Sequence, residues 1–300
     1  MTPTLARRPR GTTGPTSRAD RHSRARDWAE IQERMLVPLY EAVYERLDVG
    51  PGTRLLGLGC GSGLALLMAA ARGAPVTGVE DAEPERLALA RERLAHTDNG
   101  PLGPRLVDGR PTDVRDARDP HDARDTAEGR SGQARQARQA PAYDLVTAFQ
   151  PVGGAPGDSA GIGELLAEAG PLTQRGAAVV LAGWGPPERC ATAAVLRVAT
   201  DPLRGSGGWR PAPRDDLEEV AGRAGLTPDG SGRVACPFGY ADADSAVRGL
   251  LSTGLFDAAM GATDAVQIDK ELREALHPYE RADGTVWMPN VFRYLIARGR

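Results

Sequence analysis

The chain has 300 residues, 41% of them hydrophobic and 26% charged, which is enough apolar material to bury a core of domain size. Its 37 basic residues face 40 acidic ones, so no overall charge draws it to nucleic acid or to an anionic membrane surface. Three widely spaced cysteines, Cys60, Cys190 and Cys236, argue against a disulfide framework and a paired-cysteine metal site, and they fit a reduced, cytoplasmic protein with no metal.

Residues 1–26 carry seven arginines against one acid, among many Pro, Gly, Thr and Ser, and are expected to form a disordered basic tail. From Asp27 onward Trp28, Ile31, Met35, Leu36, Leu39, Val43 and Leu47 fall at helical spacing around Pro38, which predicts one kinked helix or two short ones. The segment 53–95 then reads as strand (TRLLGLG), glycine turn, helix (SGLALLMAAARGA), strand (PVTGVE) and helix (EPERLALARERLA). Alternation at such short intervals is the pattern of an α/β protein with a parallel sheet and crossover helices.

In residues 113–140 the acids Asp113, Asp116, Asp119, Asp122, Asp125 and Glu128 recur every third residue, a period of neither helix nor strand. A low-complexity surface insertion is expected there. Order resumes with AYDLVTAFQPV (strand), GIGELLAEAGPL (helix), GAAVVLAGWG (strand), RDDLEEVAGRAGL (helix) and GRVACPFGY (strand). Helical stretches near 242–260 and 264–277 follow, and after the Asp283-Gly284 turn signal the chain ends in a strand, VFRYLIA. No apolar run reaches the roughly 18 residues needed to cross a bilayer.

The chemical signal is the stretch RLLGLGCGSGLALLM, with glycine at positions 57, 59, 61 and 63. At the carboxyl end of a first parallel strand, glycines admit left-handed backbone and remove the Cβ that would strike a ligand. A dinucleotide site requires G-x-G-x-x-G, whose third glycine falls on Ser62, Leu64 or Leu66 in the three registers, and no Gly-Lys-Ser/Thr of a P-loop follows.

The spacing instead resembles the first motif of class I S-adenosylmethionine (SAM)-dependent methyltransferases, an acid followed by x-G-x-G-x-G, with Gly59, Gly61 and Gly63 in place. The resemblance runs from about Asp27 to Arg300, apart from the insertion. It is closest to bacterial small-molecule enzymes of the type 11 and ubiquinone-biosynthesis-like group. It implies a single domain over 27–300 with a Rossmann-like, seven-stranded, mostly parallel sheet, an antiparallel last strand and helices on both faces.

By the same resemblance the cofactor is SAM, held along Gly57, Gly59, Cys60, Gly61 and Gly63. An acid after strand two, Glu80 or its neighbour Asp81, accepts the ribose hydroxyls. Asp108 is placed near the adenine, and Gln150 beside the transferred methyl. The family's acid before the first glycine is Gly57 here, and this keeps a catalytically silent accessory protein as an alternative to an enzyme. The Asn/Asp-Pro-Pro-aromatic mark of nucleic-acid amino-methyltransferases is absent from FQPVGG, which leaves a small-molecule acceptor modified on O, N or C. No catalytic base stands out among His22, His96, His121 and His277. Tyr40, Tyr44 and Trp184 read as core packing, with a pocket wall as the sharper possibility. Oligomeric state is left open.

Overall fold

The computed structural model describes residues 18–97, 103–115, 143–152, 158–199 and 216–299. Strands β1 (Leu55–Leu58), β2 (Val76–Glu80), β3 (Arg105–Asp108), β4 (Tyr143–Val152), β5 (Thr173–Trp184), β6 (Leu226–Ala235) and β9 (Val291–Gly299) form one sheet in the order β3-β2-β1-β4-β5-β9-β6. Its first five strands are parallel, and β9 runs antiparallel to both β5 and β6. This is the expected Rossmann-like sheet, with the reversed last strand lying inside the edge. Two short strands, β7 (Phe238–Tyr240) and β8 (Val286–Met288), pair separately.

Successive residues of each central strand point to opposite faces. Leu55, Leu145, Val180 and Ile296 join one buried cluster, whereas Leu56, Val146, Val179, Leu181 and Leu295 join the other. Both faces are therefore covered, which explains why these strands read as unbroken apolar runs. The second face is packed by α5 (Asp158–Ala169) through Ile162 and Leu166, and by α7 (Asp216–Arg223) through Leu217 and Val220. The first is packed by α2 (Val37–Arg46), α3 (Leu64–Ala70), α6 (Thr192–Ala199), α8 (Ala243–Leu251) and α10 (Ala265–Leu276). Helices α1 (Arg18–Asp27), α4 (Pro84–Leu94) and α9 (Asp257–Ala262) complete the set.

Local chemistry fixes several boundaries. Pro38 and Pro84 open α2 and α4 at first-turn positions, where a missing N–H is harmless. Asp242 and Asp264 cap α8 and α10 by accepting the backbone N–H of Ser245 and Gln267, each at 2.7 Å.

Four features depart from the sequence reading. Helix α1 begins at Arg18 within the expected tail, anchored by buried Ala25 and by an Arg24–Asp257 ion pair at 2.9 Å. Ordered backbone continues through a 3₁₀ turn at Pro111–Arg115 that buries Val114, so the insertion starts later than residue 113. The expected disorder of 1–17 and 116–140 lies outside the described residues. Strand β6 begins at Leu226 and not Gly232, because Pro228, Asp229 and Gly230 read as turn residues although a bulge on an edge strand accommodates them. The helical stretch near 242–260 is broken at Ser252–Phe256 into α8 and α9.

Candidate functional site

The four glycines after β1 are bare for two different reasons. A Cβ on Gly57 would come within 2.9 Å of Leu66 Cδ2, and one on Gly63, whose φ is +79°, within 2.9 Å of Ala90 Cβ. These two positions admit α3 and α4 close to the sheet. By contrast, Gly59 (φ +57°) and the buried Gly61 (φ +56°), beyond the end of β1, meet polar side-chain atoms from other segments. A Cβ on Gly59 would lie 3.5 Å from Gln150 Oε1, and one on Gly61 would lie 3.3 Å from Trp28 Nε1 and 3.5 Å from Glu33 Oε1. The expectation that all four glycines clear space for a ligand is therefore corrected for Gly57 and Gly63, which clear space for helices.

Cys60 turns its side chain inward, since a Cβ on Gly78 in β2 would meet Cys60 Sγ at 2.8 Å. Its backbone N–H already donates to Val79 O at 3.0 Å, so neither its thiol nor its N–H is offered to a ligand. Burial pushes the Cys60 thiol well above the ordinary cysteine range, which makes it a poor nucleophile.

Glu80 and Asp81 are separated by the strand end. Glu80 is 7% exposed, and its carboxylate accepts the N–H of Gly61 at 3.0 Å and of Ala82 at 3.2 Å, whereas Asp81 is exposed. Burial raises the Glu80 pKa, and these backbone donors oppose the rise. Asp108, exposed, pairs in register with Glu80 across β2 and β3, at the same end of the sheet. Gln150, also exposed, stands where β4 slips register between Ala148 and Val152.

The sequence reading missed the roof over this turn. The chain from Trp28 to Gln32 is a π-helical turn followed by a 3₁₀ turn, Glu33–Leu36, and together they lay Trp28 and Glu33 against Gly61. The Glu33 carboxylate, 3% exposed as a residue, accepts the Ser62 hydroxyl and Arg93 Nη1, the latter at 2.7 Å, while Oε1 has a longer contact of 3.4 Å with Leu64 N. Arg93, on α4, also donates to Ser62 O at 2.9 Å. A charge buried this deeply persists only when paired and hydrogen-bonded, and Arg93 with Ser62 meets that condition. Trp28 stacks under Arg86, whose guanidinium lies 4.3 Å from the ring centroid, yet its buried Nε1–H has no acceptor among the described residues. An unmade bond of that kind costs about 1–3 kcal/mol. One signal could have revealed Glu33: it sits three residues before Leu36 and seven before Tyr40, on the apolar stripe, where an acid is out of place.

The roof is held from the far end of the chain. Tyr240 Oη donates to Gln32 Oε1 at 3.0 Å in a buried contact, and Arg86 Nη2 donates to Ser252 O at 2.8 Å. Tyr40 and Tyr44 are buried beside Phe149, and Tyr44 Oη donates to Ala65 O at 2.9 Å, which makes both part of the packing. Trp184 stacks on Phe292 with centroids 4.6 Å apart. His96 and His277 are exposed, and His22 contacts Arg26; His121 lies outside the described residues.

A cavity of about 550 Å³ opens beyond the carboxyl end of β5, lined by Arg189, Cys190, Arg197, Tyr279, Pro289 and Val291 among others. Its lining residues do not include any of the glycine turn, and in the sheet β4 lies between β5 and β1. Among the described residues no group of three or more His, Cys, Asp and Glu could hold a metal, and no helix is long and apolar enough to cross a membrane.

No family model and no curated protein sequence matches the chain. Solved structures do. A candidate methyltransferase from Bacillus halodurans C-125 aligns over 86% of this chain and 97% of its own, at 13% identity and a TM-score of 0.50. The YcgJ protein from Bacillus subtilis aligns over 87% and 97%, again at 13% identity and a TM-score of 0.50. At that identity the likeness is one of fold.

Proposed function

From the premise that the chain has the class I methyltransferase fold, we propose that it transfers a methyl group from SAM to an O, N or C atom of a small molecule. The observation that carries this reading is the pair Gly59 and Gly61, left-handed and bare at the carboxyl end of β1, with the buried Glu80 carboxylate at the end of β2 beside them. The residues fit the cofactor. A cradle that a Cβ would fill lies along the turn, a carboxylate able to accept two hydroxyls stands at the next strand, and an unpartnered indole N–H faces the same space. SAM would supply an already activated methyl group on a sulfonium.

The chain's own task is then to position the acceptor and exclude water. Gln150, whose Oε1 lies 3.5 Å from where a Gly59 Cβ would be, would orient it. The cavity beyond β5 has a volume in the range of small-molecule sites, and Arg189 and Arg197, which line it, would contact an acceptor bound there. A general base is required only for an acceptor that must lose a proton before attack.

A thermal-shift titration tests the reading. SAM and S-adenosylhomocysteine should raise the melting temperature, while NADH should not. No shift at millimolar SAM would overturn the assignment. Binding without methyl uptake by any member of a metabolite panel would favour the silent accessory protein instead.

A further inference from the structure

We propose that Glu33 and Trp28 of the N-terminal segment hold the amino-acid end of the cofactor over Gly61, so that Glu33 supplies from outside the glycine motif the carboxylate that the motif lacks at Gly57. The proposal rests on the SAM-binding reading above and names two residues that no part of the glycine pattern contains.

Three observations converge on it. First, the space over position 57 is taken by a packed side chain. Leu66 of α3 occupies the space a side chain there would need, 2.9 Å from an ideal Cβ, with Cys60 Cβ at 3.8 Å on another side. Position 57 itself supplies no carboxylate, and Glu33 brings one to the turn from a distant segment. Second, Glu33 arrives with one oxygen committed and one turned to the turn. Its Oε2 accepts Ser62 Oγ and Arg93 Nη1, which fixes the side chain, whereas Oε1 has only the long contact with Leu64 N and lies 3.5 Å from where a Gly61 Cβ would be. Third, Trp28 Nε1 is buried without an acceptor among the described residues, 3.3 Å from that same point.

An anionic acceptor and a free N–H donor thus meet over one bare Cα. This pair complements a zwitterion: an ammonium group donates to Glu33 Oε1, and the adjacent carboxylate accepts from Trp28 Nε1. Within SAM only the methionine end carries both groups. Arg93, bound to the far oxygen, holds Glu33 in place without blocking Oε1. The π-helical turn at Trp28–Gln32 brings both side chains to one spot, a placement that regular α-helical spacing would not give to residues 28 and 33.

The test compares two ligands by isothermal titration calorimetry on the full chain. S-adenosylhomocysteine retains the amino-acid end, whereas 5′-methylthioadenosine shares its adenosine and sulfur but lacks that end. Glu33→Gln and Trp28→Phe should each weaken S-adenosylhomocysteine roughly 10- to 100-fold, the scale of a lost charge-assisted hydrogen bond, and leave methylthioadenosine within about twofold. Phenylalanine keeps the ring under Arg86, so Trp28→Phe probes the N–H with little disturbance of packing. Circular dichroism and melting temperature verify that each variant is folded. Should Glu33→Gln fail to fold, Trp28→Phe alone decides. Equal weakening of both ligands would mean that the residues only shape the turn, and would overturn the proposal. So would undiminished S-adenosylhomocysteine binding in both variants. Failure of the unsubstituted protein to bind either ligand would instead overturn the SAM reading itself.

Discussion

The glycine row shows how one residue type at one spacing can serve unrelated ends. Gly59 and Gly61 lie under polar atoms of Gln150, Trp28 and Glu33, whereas Gly57 and Gly63 admit Leu66 and Ala90, and nothing in the order of letters distinguishes them. The turn itself was legible because left-handed backbone after an apolar strand demands glycine. The choice between Glu80 and Asp81 was not, since it depends on which residue is the last to point inward before β2 ends. Glu80 also carries a pH prediction. Its pKa lies above the ordinary 4.5 because burial penalises the charged form. As pH rises through that window the free protein loses a little stability, since its native state gives up a proton it held more tightly than the unfolded chain does. The affinity for SAM should rise over the same window, because only the ionised carboxylate accepts at both oxygens. Calorimetric titrations from pH 5 to 8 should therefore show weaker binding at the acid end. Glu80→Gln should flatten that dependence and weaken binding roughly 10- to 100-fold at neutral pH. An unchanged pH profile in the variant would remove Glu80 from the ligand contact.

At the scale of elements, the alternating strands and helices of the first half were readable because each is short, apolar on a clear period and bounded by Gly or Pro. The second half was harder. Strand β6 hides behind Thr227-Pro228-Asp229-Gly230, a run of turn formers that an edge strand tolerates because β9 is its sole neighbour in the sheet. Its Gly232 is bare because the Tyr294 ring of β9 lies across it, a cross-strand arrangement that no single-strand pattern reveals. The N-terminal segment was read as helical, but its π and 3₁₀ turns follow from contacts with α8 and the β7 region. The buried bond from Tyr240 to Gln32 ties these pieces together. Tyr240→Phe should leave Gln32 Oε1 buried and unpaired and destabilise the protein by about 1–3 kcal/mol. Each kcal/mol corresponds to a fall of about 2–4 °C in melting temperature for a chain of this size class. Scanning calorimetry reads the change directly, and an unaltered melting temperature would show that water replaces the bond.

For the molecule as a whole, strand–helix alternation made a parallel sheet legible, whereas the seven-stranded order with its reversed strand was implied by the family resemblance alone. The site was half legible: its motif side is local in sequence, whereas its roof depends on packing between distant segments. Leu181, fully buried in the middle of β5 on the face covered by α5 and α7, belongs to the cluster opposite the roof. Leu181→Ala should lower stability by about 2–5 kcal/mol, measured by denaturant titration, with ligand affinity unchanged. A parallel loss of affinity would mean that the two faces are more tightly coupled than the packing implies. The same separation has a meaning for how the protein is made. Gln32 leaves the ribosome well ahead of its partner Tyr240, which lies 208 residues further along the chain. At 5–20 residues per second that interval is roughly 10–40 s, during which the glycine turn exists on the nascent chain without its cover. The nascent chain therefore carries its glycine turn long before the contacts that close over it, and the arrival of Tyr240 sets when that cover can form.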